Sequence, residues 1–298
     1  MVCVGLVMTL KTFAIASLLL AACSTDDSGE LPAAASCATT TCDPNATCAD
    51  TEDAPVCTCN AGFTGDGTTC ADVNECTAAN TCAAGNACVN ASGGFDCLPT
   101  SCAGVLANEP TADDDTYTLY VAGDPAKPWD AFCADMQATS GPREYLPLEN
   151  VLGEHNFSSY LAGAASPGTN VKTSYIRLRI DPATLVVQLG DQRFASSSGQ
   201  LSHSGAGPVT SMPYGVAMSC NDGPARANID LRSTSFAIAD TFAPGGSYQV
   251  GVVNTSIDPD KQFVDLIGGG FCGWNGPKGA AYNPFNDAQG TLQLSYVK

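Results

Sequence analysis

The chain has 298 residues, 16 of them cysteine, and a formal net charge of −18 at pH 7. This length allows one domain with a full hydrophobic core together with smaller modules. The acidic charge argues against nucleic acid or an anionic membrane surface as partner, because both repel a polyanion. The cysteine content is typical of an oxidising compartment, and only two histidines are present for histidine-based catalysis or zinc binding.

The first 23 residues have the pattern of an export signal. An apolar run begins at Phe13, and the segment Leu20-Ala-Ala-Cys23 that ends it resembles the lipobox of bacterial lipoproteins, whose cysteine is acylated and becomes the mature N-terminus. We therefore expect residues 1–23 to be a lipoprotein signal peptide and Cys23 to carry the lipid. Ser24 is not the acidic residue that in many sorting systems retains a lipoprotein at the inner membrane, which favours a surface-exposed position at the outer membrane. The alternative is an ordinary secretory signal that ends in cysteine.

The segment after the signal is predicted to be extended. Residues 24–36 contain almost no side chains that could be buried, so we interpret them as a flexible tether. No lysine or arginine occurs between Ser24 and Ser101. Because the charges in this stretch are all acidic, they repel each other and favour an extended arrangement.

Six cysteines in residues 37–70 define the first small module. Its second half contains Cys57-Thr-Cys59 and the turn Gly65-Asp-Gly67, and this spacing resembles an EGF-like domain. The sequence alone leaves many pairings open. The resemblance implies the disulfides Cys37–Cys48, Cys42–Cys57 and Cys59–Cys70. A module this small cannot bury a sufficient core, so each cross-link is expected to contribute about 2–4 kcal/mol of its stability.

Residues 72–101 resemble a calcium-binding EGF-like module. The unit opens with Asp72-Val-Asn-Glu-Cys76 and continues to Cys88-Val-Asn-Ala-Ser-Gly-Gly-Phe-Asp-Cys97. Calcium is a hard cation that prefers carboxylate, amide and carbonyl oxygens. The resemblance implies calcium as a cofactor, bound by the side chains or backbone carbonyls of Asp72, Val73, Glu75, Asn90, Ala91 and Gly94. The alternative is an acidic linker with an asparagine turn.

The second module departs from its family after Cys97. The segment Leu98-Pro-Thr-Ser-Cys102 stands where a Cys-x-Cys and a glycine-rich second half are expected. We therefore interpret residues 72–101 as a truncated module, for which the resemblance implies the pairs Cys76–Cys88 and Cys82–Cys97.

Residues 102–298 are predicted to form strands joined by turns. Apolar and polar residues alternate, as in half-buried strands, at Tyr117–Val121, Ile176–Ile180, Tyr248–Val252 and Leu292–Tyr296. Two more continuously apolar segments, Thr184–Leu189 and Phe263–Ile267, are expected to be central strands. Two others, Asp130–Gln137 and Ser158–Ala165, are candidates for short helices. The predicted fold class is mainly β: disulfide-rich EGF-like modules followed by a β-rich domain with a few short helices.

Separated blocks of this region resemble a GON domain, the module that closes some secreted animal metalloproteases of the ADAMTS type. They include Ser101–Leu106, Asn156–Ser158, Pro213–Gly215, Arg226–Arg232 and Gly268–Gly273. We expect the GON domain to span residues 102–298. The opening block also resembles the start of fibrinogen-like domains, which implies the disulfide Cys102–Cys133 and leaves Cys220–Cys272 as the other pair.

The strand predicted within Arg226–Arg232 supplies a candidate ligand face. Ile229 and Leu231 point to one side, and the polar side chains on the other side are Asn228, Asp230 and Arg232. Such a row can bind a ligand. The alternative is that it is solvated or internally hydrogen-bonded.

The resemblance to a protease-associated domain raises the question of catalysis. A zinc protease needs two histidines one helical turn apart with a glutamate between them. Neither His155 nor His203 has a partner at that spacing, and no Gly-x-Ser-x-Gly motif occurs. We assign no catalytic residue. A metalloendopeptidase label would rest only on the occurrence of GON domains in such proteases.

These patterns favour a lipid-anchored, envelope-exposed protein for adhesion or recognition, with a calcium cofactor and a non-catalytic GON domain. Its expected partner is a surface protein or a polysaccharide; it contacts the membrane through the lipid anchor only and does not bind nucleic acid. The alternatives are a metalloendopeptidase-related activity and carbohydrate binding of the fibrinogen-like type. Exposed aromatic side chains would serve a polysaccharide partner, and the candidates are Trp129, Trp274, Tyr282 and Phe285.

Overall fold

The computed structural model describes residues 35–149, 154–203, 207–246, 253–277 and 290–298. The signal peptide, the predicted lipid site Cys23 and nearly all of the tether lie outside these residues. So do the alternating segment Tyr248–Val252 and the aromatic candidates Tyr282 and Phe285. Within the part of the chain that is described, no helix has both the length and the apolar character needed to cross a bilayer.

The N-terminal modules are built from three antiparallel hairpins. Their strands are β1 (Ala46–Asp50), β2 (Pro55–Cys59), β3 (Phe63–Gly65), β4 (Cys70–Asp72), β5 (Asn86–Ala91) and β6 (Gly94–Pro99), and a short 3₁₀ helix spans Glu75–Thr77. Five disulfides cross-link them: Cys37–Cys48, Cys42–Cys57, Cys59–Cys70, Cys76–Cys88 and Cys82–Cys97. In residues 35–101 Gly67 is the single buried residue. The cross-links therefore replace a hydrophobic core in this region.

The C-terminal domain begins with α1 (Cys102–Asn108), the one α-helix of the described chain. The hydroxyl of Ser101 caps this helix by accepting a hydrogen bond from the Gly104 amide. A second 3₁₀ helix spans Val121–Gly123. The strands that follow α1 are β7 (Asp115–Tyr120), β8 (Pro128–Ala134), β9 (Arg143–Pro147), β10 (Phe157–Leu161), β11 (Val171–Tyr175), β12 (Arg177–Asp181), β13 (Val186–Gln188), β14 (Ala195–Ser198), β15 (Leu201–His203), β16 (Gly207–Val209), β17 (Ala217–Ser219), β18 (Ala225–Asp230), β19 (Phe236–Ile238), β20 (Phe242–Gly245), β21 (Asn254–Ile257), β22 (Phe263–Gly268), β23 (Gly273–Pro277) and β24 (Thr291–Tyr296).

Two large sheets organise this domain. One has seven strands in the order β19-β24-β13-β12-β9-β8-β7. The other has nine, with β20-β23-β17-β10-β18-β22-β21 in order, β11 paired to β10 and β14 paired to β11. A continuous buried cluster takes Trp129, Leu178 and Phe236 from the first sheet and Ile229 and Leu266 from the second. The two sheets therefore share one hydrophobic core.

The mainly β prediction is confirmed, because a disulfide-rich EGF-like region precedes a β-rich domain. Both predicted central strands have a neighbour on each side, since β13 lies between β12 and β24 and β22 between β18 and β21. The two predicted short helices are wrong: Asp130–Gln137 begins inside β8 and Ser158–Ala165 inside β10. In β10 every second side chain is buried, at Ser158 and Tyr160. That spacing requires an extended backbone with a period of two rather than a helix.

Two further disulfides fix the C-terminal domain. Cys102–Cys133 ties α1 to β8, and Cys220–Cys272 joins the segments that follow β17 and precede β23. Six of the seven pairs in the described chain are those that the family resemblances imply, and Cys220–Cys272 is the pair that they leave over.

Candidate functional site

The junction between the first module and residues 72–101, the second disulfide-linked module, is closely packed. The Val73 amide donates to the Gly62 carbonyl at 2.9 Å. Gly62 and Gly93 have positive φ angles and lie against each other, and a Cβ on Gly93 would come within 2.8 Å of the Phe63 ring. Because only glycine combines this backbone conformation with this close approach, the contact holds the two modules in one orientation.

Asp72 joins the two halves of the second module. Its carboxylate accepts hydrogen bonds from the Gly93 amide at 2.6 Å and from the Asn90 side-chain nitrogen at 2.7 Å. These bonds, the Gly93 amide first, lower the pKa of Asp72. Since Asn90 donates through its nitrogen, its amide oxygen takes no part in this bond. Asp72 is therefore ionised at neutral pH and lies beside an amide group.

Glu75 has an unpartnered carboxylate oxygen near this junction. It opens the 3₁₀ helix, which Asn74 caps by accepting from the Cys76 amide at 3.0 Å. The Oε2 atom of Glu75 is buried and has no hydrogen-bond partner among the described residues. An unpaired carboxylate oxygen that is removed from water costs free energy, and a hard cation would pair with it.

The other residues implied by the calcium resemblance follow β4 or lie in the β5–β6 hairpin. Val73 is partly exposed, and Ala91, at the end of β5, pairs with Gly94, at the start of β6. Two carboxylates, an amide oxygen and backbone carbonyls are the ligand types that calcium takes. The residues present therefore fit a calcium ion.

The second module is docked on the C-terminal domain. Within the module, the Gly85 carbonyl accepts from both the amide and the hydroxyl of Thr100, at 2.8 and 2.9 Å, which holds Gly85 beside the start of α1. Asn86 donates to the Gly104 carbonyl at 3.2 Å and accepts from Asn108 at 3.0 Å. A Cβ on Gly104 would collide with the Gly85 carbonyl. A change in rigidity of the second module is therefore passed directly to α1.

The cysteines offer no metal site in the described residues. Among those residues, only Cys42, Cys48 and Cys57 bring three possible metal-ligand atoms of Asp, Glu, His or Cys within 4.8 Å of one another. All three sulfurs belong to disulfides, and a metal ligand must be a thiolate.

The predicted ligand face on β18 is not one open surface. Ile229 and Leu231 are buried as expected, but Asn228 is only 5% exposed and donates to the Glu154 carbonyl at 2.9 Å. Its strand is paired on both sides, to β22 and β10, which covers this position. Exposure then rises along the row, from the half-buried Asp230 to the exposed Arg232. Only the last two reach a surface where a ligand can bind.

Asp230 and Arg232 form an ion pair and lie in a polar cluster with His155. Arg232 binds both oxygens of Asp230, through Nε at 2.8 Å and Nη2 at 2.7 Å. His155 Nδ1 lies 2.8 Å from Asp230 Oδ2. Arg232 also stacks over the Phe263 ring, 4.6 Å from its centroid. Burial by itself raises the pKa of Asp230, but the hydrogen bonds from Arg232 outweigh it and hold that pKa below its usual value.

Asn156 holds this cluster in place, a role that sequence reasoning missed. Its Oδ1 accepts from the Asp230 amide at 2.8 Å and the Tyr214 hydroxyl at 2.6 Å, and its Nδ2 donates to the carbonyls of Glu149 and Asp230. The residue is fully buried and has a φ of +52°. Asparagine tolerates this left-handed conformation better than most side chains.

Three cavities meet at Ser233, and together we call them the Ser233 groove. Their volumes are about 250, 570 and 440 Å³. The first lies beside Trp129, the second reaches Gln262 and Lys298, and the third contains the His155–Asp230–Arg232 cluster. The groove is the feature of the described C-terminal domain in which buried and exposed polar groups converge, so it is the candidate binding site.

The aromatic candidates have different positions. Trp129 is only 3% exposed and packs edge-on against Phe236, with ring centroids 5.3 Å apart. Trp274 is half-buried beside Gly245 and Gly246, where a Cβ would strike its ring. Neither ring therefore offers an open stacking platform.

His203 belongs to a buried polar cluster. Its Nδ1 lies 2.6 Å from the Tyr160 hydroxyl, which is also 2.6 Å from the Ser166 hydroxyl and 2.9 Å from the Cys220 sulfur. Burial lowers the pKa of His203. Since Ser166 is fully buried and Tyr160 lies between it and the histidine, this arrangement is a hydrogen-bonded core cluster and not an open nucleophile.

Comparison with known families gives two matches. Residues 36–70 match the EGF domain, and residues 164–281 match the GON domain. The GON match covers β11 to β23, whereas β7 to β10 and β24 lie outside it. Residues 72–101 lie outside both matches. No curated protein matches the chain.

Proposed function

Because the chain joins an EGF domain to a GON domain and is therefore an extracellular-type adhesion or recognition module, we propose that it is a lipid-anchored recognition protein of the outer membrane. In this proposal the acylated Cys23 holds the chain at the envelope, the second EGF-like module binds calcium, and the C-terminal domain binds a surface protein or polysaccharide without catalysis.

The observation that carries the calcium proposal is the buried, unpartnered Oε2 of Glu75. A cation at the junction would pair this oxygen and neutralise Asp72 in a segment that has no basic side chain. It would also draw β5 and β6 toward the Glu75–Thr77 turn. Since Val73 is hydrogen-bonded to Gly62 in the first module, the cation stiffens the joint between the modules.

The role of the C-terminal domain follows from its attachment. The second module is bound to α1 through Asn86, which hydrogen-bonds to Gly104 and Asn108, and through the close approach of Gly85 to Gly104. If calcium makes the junction between the modules rigid, the C-terminal domain and its groove are held in one orientation relative to the membrane. Orientation of this kind serves a protein whose task is to reach and hold a partner.

Calorimetry of the full chain tests calcium binding. We expect calcium to bind with a Kd of roughly 10⁻⁴–10⁻³ M, the range of extracellular modules. Glu75→Ala should abolish the heat because it removes the buried ligand, whereas Glu52→Ala, an equal charge change at an exposed position of the first module, should leave it unchanged. Absence of heat in the native chain, or equal heats for the two variants, contradicts the calcium proposal.

Mass spectrometry of the mature protein tests the anchor. We expect an acylated N-terminal Cys23 and partition into detergent, and Cys23→Ala should release the protein or leave it unprocessed. An unmodified N-terminus that lies beyond Cys23 would contradict the proposal of lipid anchoring without affecting that of calcium binding.

A further inference from the structure

The two disulfides described in the C-terminal domain differ in their access to solvent. Both cysteines of the Cys102–Cys133 pair are fully buried. In the Cys220–Cys272 pair Cys220 is buried, but Cys272 is partly exposed, and the two line a cavity of about 470 Å³. The exposed ring of Phe271 lines the same cavity. A small molecule that enters it therefore meets Cys272 before Cys220.

The turn that carries Cys272 has an unfavourable backbone conformation. Four consecutive residues have positive φ angles: Gly269 at +100°, Gly270 at +80°, Phe271 at +54° and Cys272 at +69°. Glycine adopts such angles without steric cost, whereas the Cβ atoms of phenylalanine and cysteine crowd the backbone. Conformations of this kind persist only where the surrounding structure holds them. The disulfide holds this turn covalently, and the Cys272 amide donates to the Ser219 carbonyl at 2.8 Å.

Two hydroxyl groups lie at the Cys220 sulfur. The Tyr160 oxygen is 2.9 Å from it and the Ser166 oxygen 3.2 Å. A sulfur in a disulfide carries no proton, so the hydroxyls are the donors. His203 Nδ1 lies 2.6 Å from the Tyr160 oxygen, and as a donor to it leaves the Tyr160 proton directed at the sulfur. Because donors bind a charged acceptor more strongly than a neutral one, this cluster favours Cys220 as a thiolate.

We propose that Cys220–Cys272 is a thiol–disulfide exchange site, at which a small dithiol opens the bond and releases the turn of residues 269–272. A thiolate of the dithiol attacks the Cys272 sulfur, and the electron pair of the S–S bond leaves on Cys220 as a thiolate. The second thiol of the reagent then loses its proton and attacks the reagent's own sulfur in the mixed disulfide, so that Cys272 leaves as a thiolate. The reagent becomes a disulfide, and its two electrons reduce the two cysteines.

The direction of attack follows from the same geometry. The rate of exchange depends on access to the attacked sulfur and on the stability of the thiolate that leaves. The cavity gives access to Cys272, and the leaving group Cys220 has hydroxyl donors in place. Cys220 itself is buried against Tyr160 and Ser166, which blocks attack there. A disulfide with a structural role alone does not need this asymmetry.

Opening the bond changes the surface around it. Without the covalent link, Phe271 and Cys272 can leave the left-handed region, and the wall that they form in the cavity moves with them. The site therefore couples the thiol content of the surroundings to the shape of this surface. It goes beyond the proposed recognition function and does not depend on the identity of a binding partner.

Differential alkylation of the full chain tests the proposal. The native protein is treated with limiting dithiothreitol, the free thiols are alkylated, and the labelled cysteines are identified by mass spectrometry. We expect Cys220 and Cys272 to be labelled roughly tenfold or more faster than Cys102 and Cys133. With glutathione, a monothiol that stops at the mixed disulfide, the adduct should be on Cys272 and not on Cys220.

A matched pair of variants tests the role of the hydroxyl donors. Tyr160→Phe keeps the ring but loses the donor, and should slow opening by roughly tenfold because a hydrogen bond to the leaving thiolate is lost. Tyr296→Phe removes a hydroxyl that binds the Pro128 carbonyl elsewhere in the domain, and should open at the native rate. Loosened packing would act in the opposite direction, since it would expose the bond, so slower opening is not a sign of a damaged fold.

A third variant tests the strain in the turn. Phe271→Gly suits the positive φ, so in a fixed ratio of reduced to oxidised dithiothreitol it should lower the opened fraction several-fold at equilibrium. In the native chain, opening should speed hydrogen exchange in peptides from residues 268–277. An unchanged opened fraction in Phe271→Gly, together with unchanged exchange, would contradict the release of the turn.

Three results would overturn the assignment of the exchange site. They are opening of Cys220–Cys272 no faster than that of Cys102–Cys133, a glutathione adduct on Cys220, and opening of Tyr160→Phe as fast as or faster than that of the native chain.

Discussion

Residues 37–101 contain five disulfides and one buried residue, whereas the described part of the C-terminal domain contains two disulfides and a hydrophobic core shared by two sheets. The first region owes its fold to constraints on the unfolded chain and the second to the burial of apolar surface. A cross-linked module can therefore be small, acidic and exposed, as an extending element requires. A domain with a core can keep a buried tryptophan at the wall of a cavity.

The largest loss of stability is expected from a substitution in the core of the C-terminal domain. Phe236 is fully buried between Trp129 and Tyr296, with both rings edge-on to it. Phe236→Ala should cost about 3–5 kcal/mol of unfolding free energy, measured by denaturant titration. Hydrogen exchange in peptides from residues 37–70 should not change. Increased exchange there would mean that the two regions share one source of stability.

The reverse experiment removes a cross-link from the first module. The double variant Cys59→Ala and Cys70→Ala should cost about 2–4 kcal/mol because the unfolded chain becomes less constrained. The loss should appear as faster hydrogen exchange in residues 37–70, with the unfolding midpoint of the C-terminal domain unchanged. A matching fall in that midpoint would contradict independent stabilisation.

A third substitution separates polar from apolar stabilisation inside the C-terminal domain. Asn156→Ala removes four side-chain hydrogen bonds and should cost about 2–3 kcal/mol because it leaves buried groups unpaired. Asn156→Gly loses the same bonds but suits the positive φ, so it should be about 1 kcal/mol less damaging than alanine. Equal unfolding free energies for alanine and glycine would show that the backbone conformation contributes nothing.

The smallest effects concern two carboxylates with opposite pH behaviour. The pKa of Asp230 is lowered in the fold, so the stability that it contributes is present above the pKa of the unfolded chain and is lost as the pH falls through the folded value. Burial raises the pKa of Glu144, although the Cys102 amide donates to it at 2.8 Å. Its contribution is therefore present at low pH and is lost as the pH rises through its folded value.

Unfolding measured against pH tests these signs. Asp230→Asn should reduce the loss of stability in acid, and Glu144→Gln, which keeps an acceptor for the Cys102 amide, should stabilise the protein at neutral pH. Parallel pH profiles for the two variants would contradict the assignment.

The parts of the fold that depend on local pattern could be predicted from the sequence. Alternation placed Ile229 and Leu231 on a buried face, and both are buried. The burial of Asn228 could not be predicted, because it depends on which strands pair with β18. The segment Asp130–Gln137 was predicted as a helix, since nothing local shows that β7 and β9 flank it.

The Ser233 groove has no local signature at all. The cavity beside Trp129 takes its walls from three segments that are far apart in sequence, residues 129–130, 146–149 and 233–235. Trp129 itself was a candidate as an exposed aromatic, but only tertiary structure shows that its ring is buried and its nitrogen unpaired. The residues proposed to bind calcium, by contrast, lie in short motifs whose spacing is visible in the sequence.

Hydrogen exchange of the full chain with and without calcium tests most directly whether a cation braces the modules that carry the recognition domain. Calcium should slow exchange in peptides from residues 62–97, with a smaller effect at α1, which contacts Gly85 and Asn86. Glu75→Ala should remove this response, and Glu52→Ala should keep it. Unchanged exchange of residues 62–97 in the native chain, or an undiminished response in Glu75→Ala, would contradict the account.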